Sequence, residues 1–322
     1  MKIHFVIPPD YESYLDGLDA QVVGQSYPHW VGGRFNWAAQ TYLMLREYFE
    51  DASISTKAEP GILNFAHCMT WRGLGKRTGE YRVSVRADYP RLFDVDFEIL
   101  QNPAVSLGEK QAYFPYWPVP GIVPRDASRS GIERVAYAGR IGSRNLADPL
   151  KGDSGSGAFE GLEFAVIPPD QWHDMSRIDL LIAIRSFDRQ THDNKPPSKL
   201  FNSWIAGIPL IGGYDSAFSA IGEPGVDYIR VETEAELDDA VVALRNDRAF
   251  YERIVAAGAK RKAEVSHEAV ARNWHSQISG AIAEDFERWQ AKGGASQGQF
   301  LNRSMDVGRA VLSKAKARLR GK

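Results

Sequence analysis

The chain has 322 residues, one cysteine and a formal net charge of −2, with 43% apolar and 25% charged residues. That length supports two domains, each with its own core. The charge balance gives no field that favours nucleic acid, and no nucleic-acid-binding motif is present. A lone Cys68 excludes an intramolecular disulfide and a zinc site built on paired cysteines. The opening MKIHFVIPPDY has too short an apolar run for a signal peptide, and no stretch has the length and apolarity to span a bilayer, so a cytoplasmic protein is expected.

Short apolar runs alternate with helical patterns along the chain. Ile3–Ile7 reads as a buried strand, and Gly32, Gly33 and Arg34 lead into the helical spacing of FNWAAQTYLMLREYF. Ile62–Ala66 and Tyr81–Val85 are the next strands. Prolines 115, 118, 120 and 124 then break the pattern, and this aromatic-rich segment reads as the connection between domains. Beyond it, Arg134–Ala138, Leu162–Ile167 and Leu180–Ile184 are strands, with the glycine-rich loop 151–161 between the first two. Ser198–Ala206 is a helix ended by Gly207, and Pro209–Ile211 and Tyr228–Val231 are short strands. Thr233 opens a capped helix, and a long helix is expected over Ala269–Trp289. The succession predicts two parallel α/β units: an acceptor-binding domain over 1–125, a donor domain over 126–275, and a terminal helix with a basic tail over 276–322.

Ligands of open parallel sheets bind outside the carboxyl ends of the strands. The most informative stretch is therefore Asp179–Gly213, where a strand ends at Arg185 and Pro196-Pro197-Ser198-Lys199 opens a helix. A helix start exposes unpaired N–H groups and carries partial positive charge. With Ser198 as cap and the charges of Lys199 and Arg185 converging, the segment is a cradle for a diphosphate.

The run KPPSKLFNSWIAGIP (195–209) resembles the donor-site signature of GT-B glycosyltransferases, and VAYAGR (135–140) resembles the opening of their donor domain. WHDMSRIDLLIAIR (172–185) is similar to the strand that feeds that site. The resemblance implies two Rossmann-like domains facing each other across a cleft, and a hexosyltransferase-like enzyme. Its sugar passes from a nucleotide-sugar donor to a glycan or lipid-linked hydroxyl acceptor. It also implies roles by position: Arg185, Lys199, Ser198, Gly139 and Arg140 at the donor diphosphate, and Asn194 and Asn202 at the donor ribose and sugar. Fixed cations at the leaving group imply that neither metal nor cofactor is needed. In the family those last two positions are often glutamates, and asparagine hydrogen-bonds a hydroxyl less strongly than a carboxylate does. A non-catalytic sugar- or nucleotide-binding protein of the same fold, and a nucleotide-sugar epimerase, are the alternatives.

In the N-terminal half, Gly32 and Gly33 let backbone approach the transferred group. His67, after a strand, and Asp88 are candidates for the base that takes the acceptor's proton. Ala66-His67-Cys68 and Gly152-Asp-Ser-Gly155 match protease motifs only in isolation, since the helical patterning excludes that all-β fold. Asp94-Val-Asp96 is too short to specify a metal site. Residues 305–322 have a basic amphipathic pattern that suits either an anionic membrane surface, with a peripheral position at the inner face as the expectation, or a solvated terminal helix.

Overall fold

The computed structural model describes residues 1–23, 30, 33–141, 145–151 and 157–294. Gly32, the motif at 152–155 and the basic segment 305–322 lie outside the described residues. The first lobe contains β1 (Ile3–Val6), α1 (Gly33–Leu45), β2 (Ser53–Ser55), β3 (Leu63–His67), α2 (Cys68–Gly73), β4 (Tyr81–Val85), β5 (Phe97–Leu100) and β6 (Gln111–Tyr113). Its six strands pair in the order β2-β1-β3-β4-β5-β6, all parallel. Strands β1, β3, β4 and β5 are buried along their whole lengths. This is the near-continuous apolar pattern of a sheet covered on both faces.

The second lobe contains β7 (Arg134–Ala138), β8 (Glu163–Ile167), β9 (Leu180–Ala183), α3 (Ser198–Ala206), β10 (Leu210–Gly212), α4 (Ser216–Ile221), β11 (Ile229–Arg230), α5 (Glu234–Asn246) and α6 (Arg248–Arg261). The sheet order is β11-β10-β9-β7-β8, again all parallel. The two-residue period of a strand sorts its core into two layers. Leu180, Ile182 and Ile184 pack with Leu237 and Val241 of α5, while Leu181 and Ala183 pack with Leu200 and Trp204 of α3.

The chain then returns to the first lobe. Helices α7 (His267–Gln277) and α8 (Ala283–Ala291), with the turn between them, supply Val270, Trp274, Ile278, Phe286 and Trp289 to the same core as β1, β3 and α1. Trp274 is fully buried, lies against Trp37, Phe114 and Trp117, and donates its Nε1 hydrogen to the carbonyl of Pro115 at 3.0 Å. The proline-rich connection is thus pinned by the far end of the chain. The single helix expected over Ala269–Trp289 is interrupted: residues Ile278–Ile282 are π-helical, with Gly280 at φ −99° and ψ −106°. Glycine tolerates that backbone geometry, and the break re-aims α8 along the first sheet. No helix among the described residues is long and apolar enough to cross a membrane.

Candidate functional site

The carboxyl ends of both sheets open onto one cleft of about 500 Å³. His67 ends β3, Asp88 and Tyr89 come after β4, Gly139 comes after β7 and Arg185 after β9, and all of them line it. The start of α3 forms its floor through Ser198, Lys199 and Asn202. Gly33, at the exposed start of α1, lines the opposite wall with no atom within 4 Å of where a Cβ would sit.

Lys199 and Arg185 are brought together as the sequence predicted, but they differ in state. The Lys199 ammonium lies 5.1 Å from the centroid of the Tyr137 ring and makes no hydrogen bond or ion pair among the described residues. Desolvation, then the neighbouring Arg185 charge, pushes its pKa down to about 7. Arg185 is held: its Nε donates to Asp215 Oδ1 at 2.6 Å, and both side chains are almost fully buried. Its terminal nitrogens have no hydrogen-bond partner among the described residues. A Cβ at Gly139 would lie 2.5 Å from the Tyr137 ring, so a larger residue there would displace the ring that carries Lys199. Arg140 is exposed at the cleft edge.

Ser198 does not cap α3. Pro197 occupies the cap position with no side-chain cap bond, and Ser198 is the first helical residue. The carbonyl of Pro197 accepts from Leu200 and Phe201, so the N–H groups of Ser198 and Lys199 precede the first helical bonds and stay available. The serine hydroxyl likewise has no partner among the described residues.

The two asparagines are separated. Asn202 lines the cleft, and its Oδ1 accepts the backbone N–H of Val119 at 3.2 Å, tying α3 to the interdomain connection. Asn194 instead lines an adjoining outer chamber of about 1130 Å³ and donates its Nδ2 hydrogen to the carbonyl of Asp88 at 3.0 Å.

On the first-lobe side, His67 is buried, and its Nδ1 accepts the N–H of Met69 at 3.1 Å, capping α2. Burial lowers its pKa to about 4, so the ring is neutral. With Nδ1 accepting, the ring proton sits on Nε2. His67 therefore offers the cleft an N–H donor, and Asp88 is the other candidate for the base. Asp88 is half-exposed and receives the Lys195 ammonium at 2.7 Å, an ion pair between residues 107 apart in sequence that bridges the lobes. Its turn is fixed from behind: Ala87 adopts a left-handed φ of 51°, and its N–H is held by the buried Gln101 Oε1 at 2.8 Å. Asp96, by contrast, is buried against Lys76 at 2.5 Å and the N–H of Arg82 at 2.9 Å, a structural arrangement away from the cleft.

The sequence analysis gave no role to Asp215, Tyr137, Lys195 or the aromatic Tyr89, which stands edge-on to His67 at 5.3 Å. Lys195 lay inside the motif but without a partner to suggest its role.

No protein-family model matches the chain, and no curated protein matches it by sequence. Solved structures match in fold. The sucrose-phosphate synthase of Thermosynechococcus elongatus aligns with a TM-score of 0.53 at 13% identity, over 88% of this chain and 100% of that one. Anabaena HepE in complex with UDP-glucose aligns with a TM-score of 0.52 at 11% identity, over 88% and 100% of the two chains. Together with the two all-parallel sheets, these likenesses define the architecture: the chain has the GT-B fold, two Rossmann-like domains facing each other across a cleft.

Proposed function

We propose that the chain is a glycosyltransferase that moves a sugar from a nucleotide-sugar donor to a hydroxyl of a glycan or lipid-linked acceptor. The observation that carries this reading is the unpaired Lys199 ammonium beside the free end of Arg185, over the open start of α3, at the base of the interlobe cleft. Two converging cations and unbonded N–H groups fit a diphosphate better than any neutral ligand. The UDP-glucose bound by HepE makes UDP sugars the first donors to test.

In this reading the acceptor oxygen attacks the anomeric carbon while the bond from that carbon to the diphosphate oxygen breaks. The electron pair leaves with the diphosphate, and the growing negative charge is taken up by Lys199, Arg185 and the N–H groups of Ser198 and Lys199. Those groups do the work of a metal ion, so transfer proceeds without one. The acceptor's proton passes to Asp88, which Lys195 and the pinned turn hold at the cleft wall. His67 Nε2–H donates to a hydroxyl of the transferred sugar. Asn202 and Asn194 serve the ribose and sugar from the floor and the outer chamber. If the basic segment 305–322 binds anionic lipid, the enzyme works at the inner membrane face on lipid-linked acceptors.

The test is to incubate the protein with UDP, GDP, ADP and dTDP sugars, without acceptor and with chelator, and to follow release of sugar and nucleoside diphosphate. Slow hydrolysis of one donor class in the presence of chelator is expected. An intact donor with an inverted ring carbon points instead to epimerisation, and binding with no turnover of any donor to a non-catalytic protein.

A further inference from the structure

We propose that Asp215 is a positioning residue that sets the Arg185 guanidinium for diphosphate binding, an inference that rests on the donor site proposed above. Asp215 precedes α4 in the position of a helix cap, where an aspartate side chain ordinarily accepts an N–H of the first turn. Here it makes no such bond. The N–H groups of Phe218 and Ser219 go to its backbone carbonyl at 3.1 and 3.3 Å, and the carboxylate turns away from the helix to Arg185. Its second oxygen, Oδ2, is buried and has no hydrogen-bond partner among the described residues, an arrangement that costs stability. A carboxylate that forgoes both a cap and a full set of partners is placed for its remaining contact.

That contact selects an orientation. An arginine bound through Nε has the plane of its guanidinium fixed, and with it the directions of the N–H groups on both terminal nitrogens. Arg185 lines the same cleft as Lys199 and the start of α3, so fixing its guanidinium fixes one of the cations of that site. Asp215 is itself held in place by its neighbour. The N–H of Ser216 donates to the carbonyl of Thr191 at 2.7 Å, its hydroxyl donates to Asp193 Oδ1 at 2.8 Å, and that hydroxyl accepts from Asn102 Nδ2 of the first lobe at 2.9 Å. The position of the guanidinium is therefore anchored from both lobes. A simple counter-ion would need only proximity; a positioning residue needs an acceptor at the Oδ1 site.

Calorimetry on the full chain separates the two. UDP, GDP, ADP and dTDP are titrated into the wild type, and the tightest binder and its parent nucleoside are then titrated into variants. Asp215→Ala is expected to weaken the diphosphate about tenfold, the scale of one lost charge-assisted contact. Asp215→Asn, which keeps an acceptor for Nε, restores most of that affinity. The nucleoside binds all variants alike, and Asp215→Ala has no further effect once Arg185→Ala is present. Equal affinities for Asp215→Asn and Asp215→Ala, or tighter binding by both, overturn the proposal and leave a counter-ion. If Asp215→Ala does not fold, Arg185→Lys decides: it keeps the charge but lacks the planar fork that Asp215 orients, so it loses affinity similarly, and wild-type affinity overturns the proposal. A wild type that binds none of the four diphosphates removes the donor site and this inference with it.

Discussion

The two lobes share a topology but present different chemistry to their common cleft. The second lobe offers cations fixed at a strand end and a helix start: Arg185 held by Asp215, and Lys199 over Tyr137. The first lobe offers a hydrogen-bonding wall of His67, Asp88 and Tyr89, with Arg34 paired to Asp10 at 3.2 Å. Both walls are built from residues past the carboxyl ends of parallel strands and at the starts of helices α1 and α3, so the architecture fixes where the residues sit and not what they do. In the proposed reaction, one wall absorbs the leaving negative charge and the other handles the acceptor's proton.

Variants can break or sharpen that division. The largest effect is expected from Asp88→Asn, which removes the proton acceptor: kcat falls about 10²–10⁴-fold while diphosphate affinity changes little. Steady-state kinetics beside calorimetry reads both, and a parallel loss of both would merge the two walls. Next, Trp274→Ala empties a site where α7 enters the first core, and urea unfolding should show a loss of about 3–5 kcal/mol. A loss confined to the second lobe would contradict the shared core. Lys199→Ala should weaken diphosphate binding by about 1.5–3 kcal/mol. Because Lys199 is charged only below about 7 in the free protein, affinity should decline as pH rises through that value. Lys199→Arg, charged throughout, should flatten the profile. The smallest effect belongs to Asn102→Ala, which reaches Arg185 only through Ser216 and Asp215: about 1 kcal/mol of stability, with a loss of diphosphate affinity well below that of Lys199→Ala.

Much of the fold was legible because local signals agreed. The start and stop of α3 at Ser198 and Ala206 were readable from the two prolines before it and Gly207 after it, which adopts φ 69°. Strands β4 and β7 were readable at Tyr81–Val85 and Arg134–Ala138 because their buried runs are bounded by turns. The cap of α3 was misread because a serine beside proline looks like a cap, whereas the proline itself takes that place. The interruption at Gly280 was missed because one glycine within a helical period gives no sign of a π-turn. The site was legible only where its residues lie in one segment. Lys199 and Arg185 fall within fifteen residues, while Asp215 reads as an ordinary turn residue, and the pairing of Asp88 with Lys195 spans 107 positions that only the folded sheets bring together. The role of Tyr137 likewise depends on packing: its ring stands where a side chain at position 139 would be, and then carries Lys199.

The most direct measurement is a titration of the Lys199 amine by heteronuclear NMR, assigned with Lys199→Arg, in the absence and presence of the diphosphate that binds. An amine titrating near 7 in the free protein, moving up by about one unit or more when the diphosphate is added, is the predicted result. A signal near the ordinary lysine value, or one that ignores the ligand, would show that the pyrophosphate does not sit on Lys199.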